Sequence, residues 1–530
     1  MRLSESMCDR SRTQPVRKRK KRNALTWRLP LPFFKELLVS AIKHGMLSQF
    51  ARFTIGARAV VSLVMMFAAF GMVMLSLNAE ALPSFARQTG QNCVACHAGG
   101  QFPMLTPYGR KFKLTGYTIG SRTWFPVALM MQAGATRVAN VTNGSSSDPN
   151  GSGGNGGSAS DNFPKNGLPY VGSVSAFVGG KITDNIGLFG QWTYANYDHQ
   201  GDDGRWHSHS STDQFDLRYA DRFTGDNRDL IVGASLNNNV GTTDVWNTFN
   251  SPFQIVPTPI ALSSALQPNV TYGPINKPLI SSGLVAAGTG AYMFWDNFIY
   301  LELGGYRSAN GVFSFMSQGI ANAATTKLRG TNPYLRMALN HEWGAHSAMI
   351  GLHGLNAAVY SDPTDLSSPL IKSRDIGIDG QYQYILDPHT VSAQFSYTHE
   401  NKKFDDALWN TNNPSYLGAA ANSSASLNYI KLNGTYIYRA TYGTSLSFVS
   451  VSGSADNLLY PTQAFGYANN TPNTRVWIPE VFWTPIQHLR LGAQYYHYTQ
   501  YNGGGANYDG TSSRAAKDNN TLFVYAWVAY

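Results

Sequence analysis

Two cysteines three positions apart, followed at once by a histidine, stand at Cys93-Val94-Ala95-Cys96-His97. This C-x-x-C-H spacing is the attachment pattern of a c-type haem. Two thiols one helical turn apart add to the two vinyl groups, and the adjacent histidine is carried beneath the iron as proximal ligand. Two other chemistries use a C-x-x-C pair. A thioredoxin-like redox pair needs a βαβ context, which the sequence lacks. A structural zinc wants four Cys or His ligands, and the only other cysteine is Cys8, far upstream. The residues therefore predict one covalent haem c, with thioethers at Cys93 and Cys96 and His97 on the iron.

The sixth iron ligand is open. Met104 follows His97 by seven residues, and a methionine ligand raises the potential; a packing methionine in the pocket wall is the alternative. The histidines further along the chain are rivals, above all His353 and His497, which fall within predicted strands and could point inward. Arg87, Arg110, Lys111 and Lys113 could pair haem propionates, although solvated charges are the ordinary reading. Ferrous iron, a hard cation, would want carboxylates. Asp202-Asp203 and Asp405-Asp406 stand in predicted loops, where solvated acids are the ordinary reading.

Helix signals surround the motif. Ser84 is placed to cap a short helix leading into it. Thr106-Pro107 is an N-cap followed by proline at the first helical position, and Gly116 is the stop signal. Only about 40 residues, 82–122, separate the presequence from the first strand, a length at which a domain needs a cofactor or partner to fold alone. So short a piece cannot wrap a haem on all sides. The rest of the pocket must come from the remaining chain.

That remainder has an unusual composition. Of 530 residues only 14% are charged, against about 25% in ordinary soluble domains. Aromatics reach 13% and glycines number 51, yet the mean hydropathy is −0.23, which excludes a bundle of apolar helices. The net charge of +10 is confined to the front end. Residues 1–81 hold 14 of the 41 Lys and Arg and 4 of the 31 Asp and Glu, leaving 27 of each sign. No basic surplus remains to neutralise phosphates, so nucleic acid is excluded as a partner. Ala59–Leu77 is an uncharged, mostly apolar run that ends before Ala79-Glu80-Ala81, a small-x-small cleavage pattern. Residues 1–81 therefore read as a presequence with a Sec-type signal peptide, whose start could be Met46. An uncleaved membrane anchor is the rival. Export agrees with c-type haem, which is attached outside the cytoplasm.

From residue 123 to 530, segments of about ten residues alternate apolar and polar, the signature of a transmembrane β-barrel. Sixteen are expected, at 124–138, 168–181, 186–197, 213–222, 229–239, 284–294, 298–308, 332–342, 347–359, 375–385, 390–400, 425–437, 443–452, 475–483, 489–500 and 520–530. Short turns alternate with long connections throughout, as short periplasmic turns and long external loops do in such barrels. Among the long connections, 143–161 is Gly/Ser/Asn-rich and expected to be a loop tip. The Pro-rich 252–278 reads as a second irregular loop, expected outside, with an inward-folding plug as the rival. The expected fold is a 16-stranded antiparallel barrel of the bacterial outer membrane, in contact with its lipid, behind a short helical haem segment.

Residues 83–117 carry a family resemblance. They read Pro-Ser-Phe-Ala-Arg-Gln-Thr-Gly, then the haem motif, then Phe102-Pro103-Met104-Leu105-Thr106-Pro107-Tyr108-Gly109-Arg110-Lys111-Phe112-Lys113 and Gly116-Tyr117. This stretch resembles the fused monohaem cytochrome–porin family of outer-membrane iron-oxidising cytochromes. The resemblance covers the haem segment in detail and the barrel in architecture alone. It implies electron transfer from an extracellular donor, Fe(II) first, through the haem to a periplasmic cytochrome or similar acceptor. An apolar band about 25 Å tall sets a further expectation: the haem should sit in the lumen, midway or near the outer face. A diffusion porin with the haem segment as plug or redox sensor is the rival. A barrel sheathing a separate multihaem cytochrome is the third reading.

Overall fold

The computed structural model describes residues 84–530 except 101–103, 141–165, 201–205, 227, 249–277, 282–283, 318–325, 410–418, 462–466, 509 and 511–512. The presequence, the 143–161 loop tip, Asp202-Asp203 and nearly all of 252–278 lie outside the described residues.

Sixteen strands close into one antiparallel barrel, each bonded to its sequence neighbours and the last to the first. They are β1 Val127–Val138, β2 Pro169–Lys181, β3 Ile186–Gln200, β4 Trp206–Gly225, β5 Arg228–Asn237, β6 Ala287–Trp295, β7 Ile299–Arg307 and β8 Asn332–Trp343. β9 is His346–Tyr360, β10 Leu370–Leu386, β11 His389–Phe404, β12 Ser424–Tyr438, β13 Tyr442–Gly453, β14 Thr474–Ile486, β15 Leu489–Gln500 and β16 Thr521–Ala529. Closure pairs Met130 with Ala529 and Val138 with Thr521. Closure also removes every sheet edge, so each strand's backbone groups find partners within the ladder.

Alternation sets the two faces. Asn332, Tyr334, Arg336, Ala338 and Asn340 are buried on β8, whereas Leu335, Met337 and Leu339 are exposed. Ile350, Leu352, Ile376, Ile378, Leu432, Leu446 and Val481 continue that outer apolar belt across the neighbouring strands. At the short-turn end the belt is rimmed by exposed Trp295, Trp343, Tyr436, Tyr442 and Trp483, an aromatic girdle at the membrane interface. No described helix is long and apolar enough to cross a membrane; the strands do so. The chain is a transmembrane barrel of the bacterial outer membrane, its belt in contact with lipid.

All sixteen expected strands are present, and several run longer. β4 begins at Trp206, and its ladder with β3 carries on through His209, paired with Ala195, to His207, paired with His199. β10 begins at Leu370 and β11 ends at Phe404. These extensions are largely polar, so they give no apolar alternation to read, yet backbone pairing continues. β1 starts later than expected, after Pro126, leaving Trp124 97% exposed ahead of it.

The 240–283 connection, read first as an external loop with an inward plug as rival, folds its described limbs into the lumen. After β5 a short helix, Val240–Thr243, is capped by the Asn239 side chain and leads to Trp246, 1% exposed. Asp244 accepts from the backbone N–H of Trp246 and Thr248 and lies 3.5 Å from Arg336. Thr248 donates to Asp379 at 2.5 Å. The returning limb is held where the Leu279 and Ile280 N–H groups donate to Glu400 (2.9 Å) and Asp375 (2.6 Å). A buried loop must have its polar groups paired, and β10 and β11 supply the acceptors.

Topology is tested with epitope insertions. A tag inserted near Gly151 is expected to be labelled on intact cells, and one in the β8–β9 turn at Gly344 only after the outer membrane is permeabilised. The reverse pattern would invert the barrel.

A candidate cofactor segment in the barrel mouth

Among the described residues, three short α-helices precede the barrel: α1 Ser84–Thr89, α2 Cys93–Cys96 and α3 Pro107–Leu114. Ser84 is the first described residue of α1. α3 forms as its sequence dictates. The Thr106 side chain accepts from the Gly109 N–H at 3.1 Å, and Pro107 occupies the first turn. Gly116 ends it with φ +72°, a conformation glycine adopts without steric cost.

α2 holds Cys93 and Cys96 on one turn, and none of its four residues is buried. The two thiols are not joined as a disulfide. His97 leaves the helix in extended conformation, and its N–H donates to the Cys93 carbonyl at 2.8 Å. The chain then doubles back. His97 pairs with Leu105 in an antiparallel bridge, and the Ala98 N–H donates to the Met104 carbonyl at 2.8 Å. Met104 thus runs alongside the His97 backbone, half-buried. Partial burial pushes the Cys96 thiol up to about 11, and desolvation brings the His97 imidazole down to about 4. At neutral pH the ring is therefore uncharged, the form that binds a metal.

Glycines pack this fold tightly. A Cβ on Gly99, whose φ is +71°, would meet the Ile437 side chain at 2.0 Å. A Cβ on Gly109 would lie 2.1 Å from the Cys96 carbonyl oxygen. Gly109→Ala is therefore expected to push α2 off α3, at about 1–3 kcal/mol for an overpacked contact. Hydrogen–deuterium exchange across 93–97 should rise in the variant while the strands keep wild-type protection.

The segment lies in the short-turn mouth of the barrel. Arg110, 3% exposed, donates to Gln381 (3.0 Å) and Gln383 (2.9 Å) on β10 and to Ser347 (2.6 Å) on β9, with Glu342 of β8 at 3.6 Å. Lys111 pairs with Asp229 at 3.1 Å. Lys113 donates to the Asp244 carbonyl at 3.0 Å. Tyr117 donates to Asp216 at 2.6 Å, itself paired with Arg218 at 2.7 Å, and Tyr292 donates to the Leu114 carbonyl at 2.7 Å. On the other flank Gln88 donates to the Tyr117 and Ile119 carbonyls (2.7 and 2.8 Å) and accepts from the Lys181 N–H (2.9 Å). Phe85 packs with Phe112, Tyr117 and Phe189.

Several sequence expectations change here. The contacts on Lys181, Asp229, Glu342, Ser347 and Gln383 all lie close to short turns, so the segment fills that end of the lumen, not its middle or outer face. Arg87, Arg110, Lys111 and Lys113 are engaged by the barrel or by backbone carbonyls. Their side chains dock the segment; the sequence left solvated charges as the ordinary reading and haem propionates as the alternative. His497 is exposed on the outer face, stacked on Tyr495 and bonded to Asn520. His353 faces the lumen but sits between Thr398 (3.0 Å) and Asp379 (3.6 Å). Asp405 accepts from the Leu370 N–H and pairs with Lys372, and Asp406 opens a short helix. Among the described residues, no three His, Cys, Asp or Glu side chains are grouped to cage a metal ion. Cys93, Cys96 and His97 remain the residues that could hold a cofactor.

No protein-family model matches the chain, and no curated protein matches it. Among solved structures, the chain is similar to the outer membrane channel DcaP of Acinetobacter baumannii, at 12% identity over 76% of this chain and 96% of that one, with a TM-score of 0.40. It is similar to Salmonella typhi OmpF in complex with daunomycin, at 12% identity over 76% and 97%, with a TM-score of 0.40. A third similar structure is an anion-selective porin from Comamonas acidovorans, at 10% identity over 76% and 98%, with a TM-score of 0.38.

Proposed function

We propose that this barrel is an outer-membrane electron-transfer protein of the fused cytochrome–porin kind. In this reading Cys93 and Cys96 hold one haem c, His97 is the proximal ligand and Met104 is a candidate for the opposite side. Two thiols on one turn followed by a neutral imidazole fit that group. The haem would supply one-electron transfer between an extracellular donor, Fe(II) first, and a periplasmic carrier. The observation that carries the reading is the docking of the motif-bearing segment. Buried Arg110 ties it to β9 and β10, so motif and barrel are one unit. The chain's own residues do three things in this scheme. Arg110, Tyr117 and Gln88 fix the segment, α2 presents its cysteines at the periplasmic mouth, and the inward limbs narrow the lumen beyond it.

One observation favours a second reading. A motif at the short-turn mouth leaves the outer face an apolar band of about 25 Å away, which suits a plug or redox sensor of a porin. Proteoliposomes separate the two. With Fe(II) outside and an oxidised soluble cytochrome trapped inside, a conduit reduces the trapped protein while the vesicles stay impermeable to ions. Ion leakage without reduction would favour the porin.

A further inference from the structure

One barrel side chain bonds both the cofactor segment and the inward limb. Gln381 on β10, 5% exposed, accepts from Arg110 of α3 at 3.0 Å through Oε1. It donates to the Trp246 carbonyl of the limb at 3.0 Å through Nε2. Its orientation is fixed, because a guanidinium only donates and a carbonyl only accepts. Its neighbours serve one side each. Gln383 contacts the segment alone, at Arg110 and the Leu105 carbonyl. Gln394 contacts the limb alone, at the same Trp246 carbonyl, 2.9 Å away. Trp246 in turn stacks edge-on against Tyr300 and lies under Arg336, so a shift of its backbone reaches the ionic layer across the lumen. Lys113 to the Asp244 carbonyl is a second strand of the same link.

We propose that Gln381 is a positioning residue that couples the cofactor segment to the lumen constriction, so that loosening one loosens the other. Coupling of this kind is reciprocal: whatever the segment does to the limb, the limb does to the segment. The proposal goes beyond electron transfer and does not require haem. It gives the barrel a route by which the state of the mouth segment alters the constriction.

The test is hydrogen–deuterium exchange on the full chain in detergent, followed over 107–114 and 240–248. Heat-modifiable gel mobility shows that each variant keeps its barrel. Gln381→Ala is expected to raise exchange in both stretches by about fivefold, the loss of one buried hydrogen bond on each side. Gln381→Glu keeps an acceptor for Arg110 and loses the donor to Trp246, so it should raise exchange over 240–248 and leave 107–114 protected. Arg110→Ala should raise exchange over 240–248, a stretch it does not touch, and do so less in the Gln381→Ala background. Wild-type exchange over 240–248 in Arg110→Ala, or a Gln381→Ala effect on one stretch only, would overturn the coupling.

Discussion

Replacing both Cys93 and Cys96 by alanine is expected to abolish haem staining on a denaturing gel while the barrel still assembles. The first half follows from the chemistry, since covalent attachment at C-x-x-C-H requires the two thiols. The second half follows from the structure. α2 buries none of its residues, and the contacts that dock the segment come from elsewhere: Arg110, Lys111, Lys113, Tyr117 and Gln88. Removing two sulfur atoms at the mouth therefore leaves the barrel's packing intact. Heat-modifiable mobility should match the unmodified chain. Haem staining that survived in the double variant would remove the cysteine reading altogether.

Arg110→Ala should undock the segment. The side chain is buried and makes hydrogen bonds to Gln381, Gln383 and Ser347, with Glu342 close by. Burial lowers its pKa to about 10, so the guanidinium is charged at neutral pH. Its loss leaves three buried polar side chains facing a cavity. Leaving buried polar groups without their donor costs about 1–3 kcal/mol each, enough to make an undocked mouth a major state. Protease cleavage between residues 104 and 122 should become rapid, and added exogenous haem ligands should gain access. Because the sixteen-strand ladder is untouched, the barrel itself should resist the protease as before. A segment as protected as in the wild type would show that the apolar contacts of Phe85, Phe112 and Tyr117 suffice for docking.

The parts of the molecule that were legible from sequence share one property: the signal is local. Strand positions could be read because one face of each strand meets lipid and the other the lumen, which forces a period of two. Thr106-Pro107 and Gly116 could be read because caps and stops are set by neighbouring residues. The position of the segment could not. Arg110 and Gln381 are 271 residues apart, and no periodicity links them. The inward limb stood only as the rival reading for a related reason: its polar residues look solvated until Asp375, Asp379, Glu400 and Arg336 appear beside them. His497 was misplaced because β15 carries aromatics on both faces, with Tyr496 and Tyr498 buried and Tyr495 stacked on the outer His497. Alternation there does not say which side faces in.

The placement at the short-turn mouth shapes the electron-transfer reading. In that reading a periplasmic carrier would have direct access to α2, and the donor side would be the demanding one. Either the donor enters the lumen from outside, or the electron crosses the lumen past the stacked Trp246 and Arg336 side chains. Neither route survives without a haem that the donor can reduce.

The decisive measurement is therefore the visible spectrum of the purified full chain before and after Fe(II) is added. The account predicts one c-type haem per chain whose oxidised spectrum converts to the reduced one with Fe(II), and a Cys93→Ala, Cys96→Ala chain with no such bands. A chain that carries no haem, or whose haem is reduced by dithionite and untouched by Fe(II), would contradict it.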